Sequence, residues 1–151
     1  MTIEVAPGDP REAQARALIE ASHALMESLF PPEDNHYLDI DALAAPDISF
    51  FVAKRDGKTV GCAALARHAG YGEVKSMFVA EEARGQGVAD ALLARIEAEA
   101  RAAGLPVLRL ETGDALTAAL RFYERAGFRR RGAFGDYPEG GTSVFMEKRL
   151  G

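Results

Sequence analysis

The 151-residue chain has a single cysteine, Cys62, so no disulfide can form within it and no thiolate metal cluster can be built. Its three histidines, His23, His36 and His68, are scattered without the spacing of a zinc site, and no metal is expected. No apolar run approaches the roughly 20 residues that cross a bilayer. The start, Met1-Thr2-Ile3-Glu4-Val5, lacks the basic and apolar regions of a secretory signal, so a cytoplasmic location without a membrane partner is expected. Positive charge is in deficit, 18 Lys and Arg against 23 Asp and Glu; a net charge of -5 repels polyanions and argues against nucleic acid. The length fits one domain, 1–151, large enough to bury most of the surface its unfolded form exposes.

What is present alternates between the two backbone periods. A strand over 2–6 and the turn Pro7-Gly8-Asp9-Pro10 lead into a helix over 11–29, where Ala15, Leu18, Ile19, Leu25, Met26 and Leu29 form one apolar stripe. Pro10 suits that helix's first turn, and Phe30-Pro31-Pro32 ends it. A short helix over 40–44 follows, then strands over 49–54 and 59–67, joined by a hairpin whose Asp56-Gly57 pair supplies positive φ. A strand over 72–79 runs into a long helix over 87–103, closed by Gly104. A strand over 107–111 parallel to the previous one, a helix over 115–126 and strands over 128–132 and 142–148 complete the pattern. The fold class expected is α/β, a mixed and mostly antiparallel sheet with helices on both faces. Cys62 sits in the apolar run 60–65, where a buried structural thiol is expected.

The junction of strand 72–79 with the long helix is the run Arg84-Gly85-Gln86-Gly87-Val88-Ala89. A helix N-terminus exposes unpaired N–H groups and the positive end of the macrodipole, which suits a diphosphate. Gly85 and Gly87 allow close backbone approach, and Arg84 adds a charged donor. A Walker loop is excluded, since neither its Lys nor its hydroxyl is present, and a dinucleotide fingerprint fails because Asp90 stands at the third glycine position.

The same run resembles the Gln/Arg-x-x-Gly-x-Gly/Ala signature of the GNAT superfamily of N-acetyltransferases. Downstream, Ala119-Leu120-Arg121-Phe122-Tyr123-Glu124-Arg125-Ala126-Gly127-Phe128 resembles that family's Ala-x-x-x-Tyr-Glu-x-x-Gly-Phe segment. The likeness runs from about Ile48 to the C-terminus, with one departure: Leu116 stands where many relatives carry an Asn that holds the pantetheine arm. Gly72-Glu73-Val74-Lys75-Ser76-Met77, Leu110-Glu111-Thr112-Gly113 and Phe134-Gly135-Asp136-Tyr137 further resemble a smaller bacterial subset, which favours a small-molecule acceptor.

The resemblance implies the GNAT fold with a splayed pair of parallel strands, and acetyl-CoA as co-substrate. It implies transfer of the acetyl group to a primary amine of a small molecule by direct attack in a ternary complex; the alternatives are a non-catalytic acyl-CoA sensor and a protein N-acetyltransferase. A homodimer stays open. Met77, Phe78 and Val79 would lie along the thioester arm, with a backbone N–H near Val79 stabilising the oxyanion, and Arg84, Gly85, Gln86, Gly87, Val88 and Ala89 would hold the diphosphate. Tyr123 occupies the family's acid position, against an alternative as a core aromatic. Glu73, eleven residues before Arg84, is the candidate base, against the alternatives of an ion pair with Lys75 and of water alone taking the proton. Arg121, Arg125, Arg129, Arg130 and Arg131 are candidates for a 3′-phosphate or a solvated face. The region around His36 and Tyr37, residues 67–71, and the loop with Asp136, Tyr137 and Glu139 are the expected selectivity elements.

Overall fold

Asp56 and Gly57 both adopt positive φ, 53° and 82°, and the tight turn they form folds β2 (Ile48–Arg55) onto β3 (Lys58–His68). In the computed structural model, which describes residues 2–151, this hairpin anchors a seven-stranded sheet. The remaining strands are β1 (Ile3–Pro7), β4 (Tyr71–Val79), β5 (Val107–Gly113), β6 (Arg129–Arg131) and β7 (Ser143–Arg149). Their spatial order is β1-β2-β3-β4-β5-β7-β6, and only β4 and β5 run parallel. The helices are α1 (Ala13–Leu29), α2 (Ile40–Leu43), α3 (Val88–Ala102) and α4 (Thr117–Arg125), with single 3-10 turns at Pro32–Asp34 and Glu81–Ala83. No helix among the described residues is long and apolar enough to cross a membrane.

Two helix starts differ from expectation for local reasons. Pro10 lies ahead of α1, not in its first turn, because Glu12 is the cap: its carboxylate accepts from the N–H groups of Gln14 and Ala15. The α4 helix begins two residues late because Leu116 N–H turns back onto the Gly113 carbonyl at 3.0 Å, which places Leu116 in the cap with no side-chain bond.

Each face of the sheet has its own core. Leu65, Val74, Leu92, Ile96, Leu108, Leu110 and Met146 pack between the sheet and α3 with α4. On the other face Ala15, Leu18, Ile19, Leu43, Phe50, Val52, Cys62 and Ala64 pack beneath α1 and α2.

Two irregularities in β4 prepare a site. Its pairing with β5 has only two rungs, Gly72 with Leu108 and Glu73 with Arg109, after which the strands separate. Its pairing with β3 slips between Cys62 and Ala64, opposite Ser76, whose φ is 53°. That extra residue is a β-bulge and inverts the alternation of side chains beyond it. Met77 and Val79 consequently join Val74 on the α3 face, while Phe78 packs on the α1 face. The Cys62 thiol donates to the Ser76 carbonyl at 3.4 Å and ties the bulge down.

Candidate active site

Past Glu73, β4 has no β5 partner, so its edge facing the gap is free for a ligand. The gap opens into a cleft of about 650 Å³ lined by Met77, Phe78, Val79, Arg84, Gly85, Gly87, Val88 and Ala89. At its end Gly85 and Gly87 hold φ of 76° and 84°, and a Cβ built on either would meet no atom within 4 Å. Gly87 caps α3 without any side-chain bond, so the first-turn N–H groups are offered to a ligand. A diphosphate fits that cradle on charge and on space. Arg84 lies at the rim, its Nε donating to the Val79 carbonyl at 3.3 Å.

Gln86 does not line the cleft. Its side chain accepts from Arg55 and donates to the Glu82 carbonyl, on the far side of the loop. Of the five arginines, Arg125 borders the cleft; Arg129, Arg130 and Arg131 line a separate groove on β6 and β7, where Arg131 pairs with Glu147 at 2.6 Å.

A second, smaller cavity of about 120 Å³ lies on the α1 side of the gap. Ser22 and His23 from α1, Asp34 to Tyr37 from the following loop, Lys75 to Met77 from β4 and Leu110 to Gly113 from β5 contribute to its wall. Five residues belong to both spaces: Met26, Met77, Leu116, Ala119 and Tyr123. Tyr123 is therefore at the junction. Burial pushes its phenol well above the usual tyrosine value, so it stays protonated at any physiological pH. Within the cavity His23 stacks on Tyr37, and its Nε2 is buried with no hydrogen-bond partner among the described residues; burial lowers its pKa. Glu111 accepts from the Ser143 hydroxyl at 2.8 Å, and desolvation raises the pKa of its carboxyl.

Glu73 is buried on the same face of the sheet but lines an outer groove, together with His68, Tyr71, Asp136 and Tyr137, and not the inner cavity. Its carboxylate meets His68 Nε2 at 3.0 Å, the Tyr137 hydroxyl and Lys75 Nζ at 3.4 Å. Lys75 also donates to the His36 carbonyl at 3.1 Å and to Tyr137 Oη at 2.6 Å, so its ammonium is held by one ion pair and two hydrogen bonds. Burial, followed by the Glu73 charge, pushes the Tyr137 phenol far up. His36 and Tyr37 line both the cavity and the groove, and Asp136 and Tyr137 line the groove, so most of the segments expected to set selectivity lie together; Glu139 does not join them, its carboxylate accepting from Ala133 N–H.

Two contributors to the cavity were not singled out from the residues alone. Glu111 carries a signal in retrospect, because period-2 alternation along β5 puts it with Arg109 opposite the buried Leu108 and Leu110. For His23 there is none, since its helical position is as compatible with solvent as with a cavity.

An uncapped helix start after a splayed parallel pair, opening through a bulge onto a second cavity, is the arrangement of an acyl-CoA transferase. Residues 15–128 match the profile of the Acetyltransferase (GNAT) family, and the chain belongs to that family. It is 47% identical over 150 residues to an IAA acetyltransferase of Azospirillum brasilense, covering 98% of each chain. It is 36% identical over 143 residues to an uncharacterized N-acetyltransferase, YsnE, of Bacillus subtilis, covering 91% of this chain and 93% of that one. A crystal structure of a putative acyl-CoA N-acyltransferase from Klebsiella pneumoniae superposes with a TM-score of 0.83 at 35% identity, covering 98% of this chain and 97% of that chain. The protein is an acetyl-CoA-dependent N-acetyltransferase.

Proposed function

We propose that the chain transfers the acetyl group of acetyl-CoA to a primary amine of a small molecule, by direct attack while both substrates are bound. One observation carries this: the coenzyme cleft and the inner cavity are separate spaces that meet at Met77 and Tyr123, so a thioester and an acceptor can occupy them together. The cavity's 120 Å³ is below the ~300–1,000 Å³ of drug-sized sites, which favours an acceptor of few heavy atoms. No thiol is available for an acyl-enzyme, since Cys62 is buried and its pKa is pushed up to about 12.

In this reading the diphosphate rests on Gly85, Gly87, Val88 and Ala89, with Arg84 at the rim and Gln86 contributing backbone only. The arm follows the free edge at Met77, Phe78 and Val79, where backbone N–H groups stabilise the oxyanion. Tyr123 supplies the thiolate's proton. Donation from a phenol of raised pKa to a thiolate of pKa ~8.5 is uphill, so its contribution is small. Glu73, the base candidate offered by the family resemblance, lies outside the inner cavity, and any proton reaching it from there must pass through Tyr137, Lys75 or water.

Initial rates with acetyl-CoA and a panel of primary amines, read by thiol release, test the reading. Double-reciprocal lines that intersect as both substrates vary are expected. Parallel lines would indicate an acyl-enzyme and overturn the ternary complex.

A further inference from the structure

We propose that Glu111 is the group that receives the acceptor's ammonium in the inner cavity and takes its proton, and that the acceptor is an amine with no carboxylate beside the nitrogen. The proposal rests on the acyl-transfer reading above. Glu111 is the cavity's one glutamate, and its only hydrogen-bond partner among the described residues is the neutral Ser143 hydroxyl. Asp34, the other acid in the wall, is occupied by the N–H and hydroxyl of Thr142. Lys75 and His36 of the same wall act on it only at a distance, neither in hydrogen-bond contact, so a desolvated carboxylate is left that an entering ammonium can pair with directly.

The other charges around the cavity leave that place open. From β4 come Lys75, held by one ion pair and two hydrogen bonds, and behind it Glu73, with Tyr137 from the loop before β7. From α1 comes His23, kept neutral by burial; His36 comes from the following loop and Tyr123, kept protonated, from α4. The one lysine of the wall is already held by Glu73, Tyr137 and the His36 carbonyl and is not free to receive a carboxylate on the acceptor, so an amino acid fits poorly and a simple amine fits well. A raised carboxyl pKa also brings Glu111 closer to the amine it must deprotonate.

The step balances as follows. One ammonium proton moves to a Glu111 oxygen and on to solvent, and the freed lone pair forms the N–C bond to the acetyl carbonyl. The C–S bond then breaks with its electron pair going to sulfur, and one of the two protons left on nitrogen reaches that sulfur by way of Tyr123. Amide and coenzyme A thiol result.

The test compares wild type with Glu111→Gln on isobutylamine and on valine, which differ by the carboxylate. Wild type should favour isobutylamine by at least ~10-fold in kcat/KM. Glu111→Gln should lower kcat/KM for the amine by roughly 10²–10⁴-fold near pH 7, with the defect shrinking as pH rises and with acetyl-CoA affinity unchanged. Ser143→Ala, which only frees the carboxyl's anchor, should give a smaller loss of the same pH shape. Equal rates for Glu111→Gln and wild type across pH, or equal use of valine, would overturn the proposal while leaving acyl transfer standing. Failure of wild type to acetylate any primary amine would remove the acyl-transfer reading and this one with it.

Discussion

Replacing Glu73 with Gln removes one charge from a buried pair and leaves Lys75, whose side chain is 10% exposed, with two neutral partners. Deleting one member of a buried ion pair costs about 3–5 kcal/mol when nothing replaces it. Here the Tyr137 oxygen and the His36 carbonyl still solvate the ammonium, and the Gln oxygen can still accept one bond. Against that, the new amide points a donor toward groups that are themselves donors. We therefore expect a loss of about 2–4 kcal/mol, which for a chain of this length lowers the melting temperature by roughly 5–15 °C. Calorimetry at pH 7 measures it. Adding Lys75→Met removes the stranded charge and should recover most of the loss, because a buried pair replaced by apolar groups is close to neutral. That double variant also separates the two roles of Glu73. If the carboxylate only holds Lys75 and Tyr137, restored folding brings restored turnover. If it takes the amine's proton, turnover stays ~10²–10⁴-fold low and the deficit fades at high pH. A melting temperature for Glu73→Gln within ~2 °C of wild type would refute the energetic argument.

Three further outcomes are expected. Acetyl-CoA should raise the melting temperature of wild type by mass action, and Gly87→Val should abolish the rise, since its φ of 84° strains a β-branched residue by ~1–2 kcal/mol and the new side chain enters the cradle; an undiminished thermal shift would sink the cradle. Tyr123→Phe should keep coenzyme affinity and lose nearer ~10-fold in kcat than the full ~10²–10⁴-fold of general acid loss, because the donation is uphill; a thousand-fold drop in single-turnover rate would contradict this. Glu111 binds its proton more tightly folded than unfolded, so between the ordinary carboxylate pKa and its raised value the native state holds more protons and stability falls as pH rises. Glu111→Gln should flatten that part of the stability profile, and an unchanged slope in urea titrations over that window would rule the linkage out.

The glycine turn proposed to cradle a diphosphate is legible in the sequence because its geometry is local. Positive φ at Gly85 and Gly87 and an uncapped helix start lie within four residues, and a strand-to-helix change in period marks the place. The exceptions on the same stretch are instructive. Gln86 sits inside the motif yet turns its side chain to Arg55, because neighbouring residues of a tight loop point in different directions. Arg129, Arg130 and Arg131 follow Arg125 closely in sequence, but Gly127, with φ of 102°, ends the helix and sends the chain into β6, away from the cleft. Glu73 and Glu111 could not be ranked from spacing at all. Their difference depends on which lies behind Lys75 and Tyr137, and Tyr137 comes from 64 residues further along the chain than Glu73.

The bulge at Ser76 turns one strand toward two different spaces, as the proposed two-substrate reaction requires. In a regular strand residues 73, 75, 77 and 79 would share a face, so Met77 and Val79, the proposed thioester contacts, would lie on the α1 side with Glu73 and Lys75. The inserted residue leaves Glu73 and Lys75 on the α1 side and moves Met77 and Val79 to the α3 side with the coenzyme cleft. The change of face falls where β5 has already departed, so the reacting carbonyl can sit between strands and be approached from either side. Cys62 and Ser76 then matter to the chemistry without touching a substrate: a thiol too buried to react holds the carbonyl of the residue at which the strand turns over. On this view the acceptor's proton must leave on the α1 side and the thiolate's must arrive at the junction. A carboxylate on β5 and a phenol on α4 meet those two requirements better than any pair of groups on β4 alone.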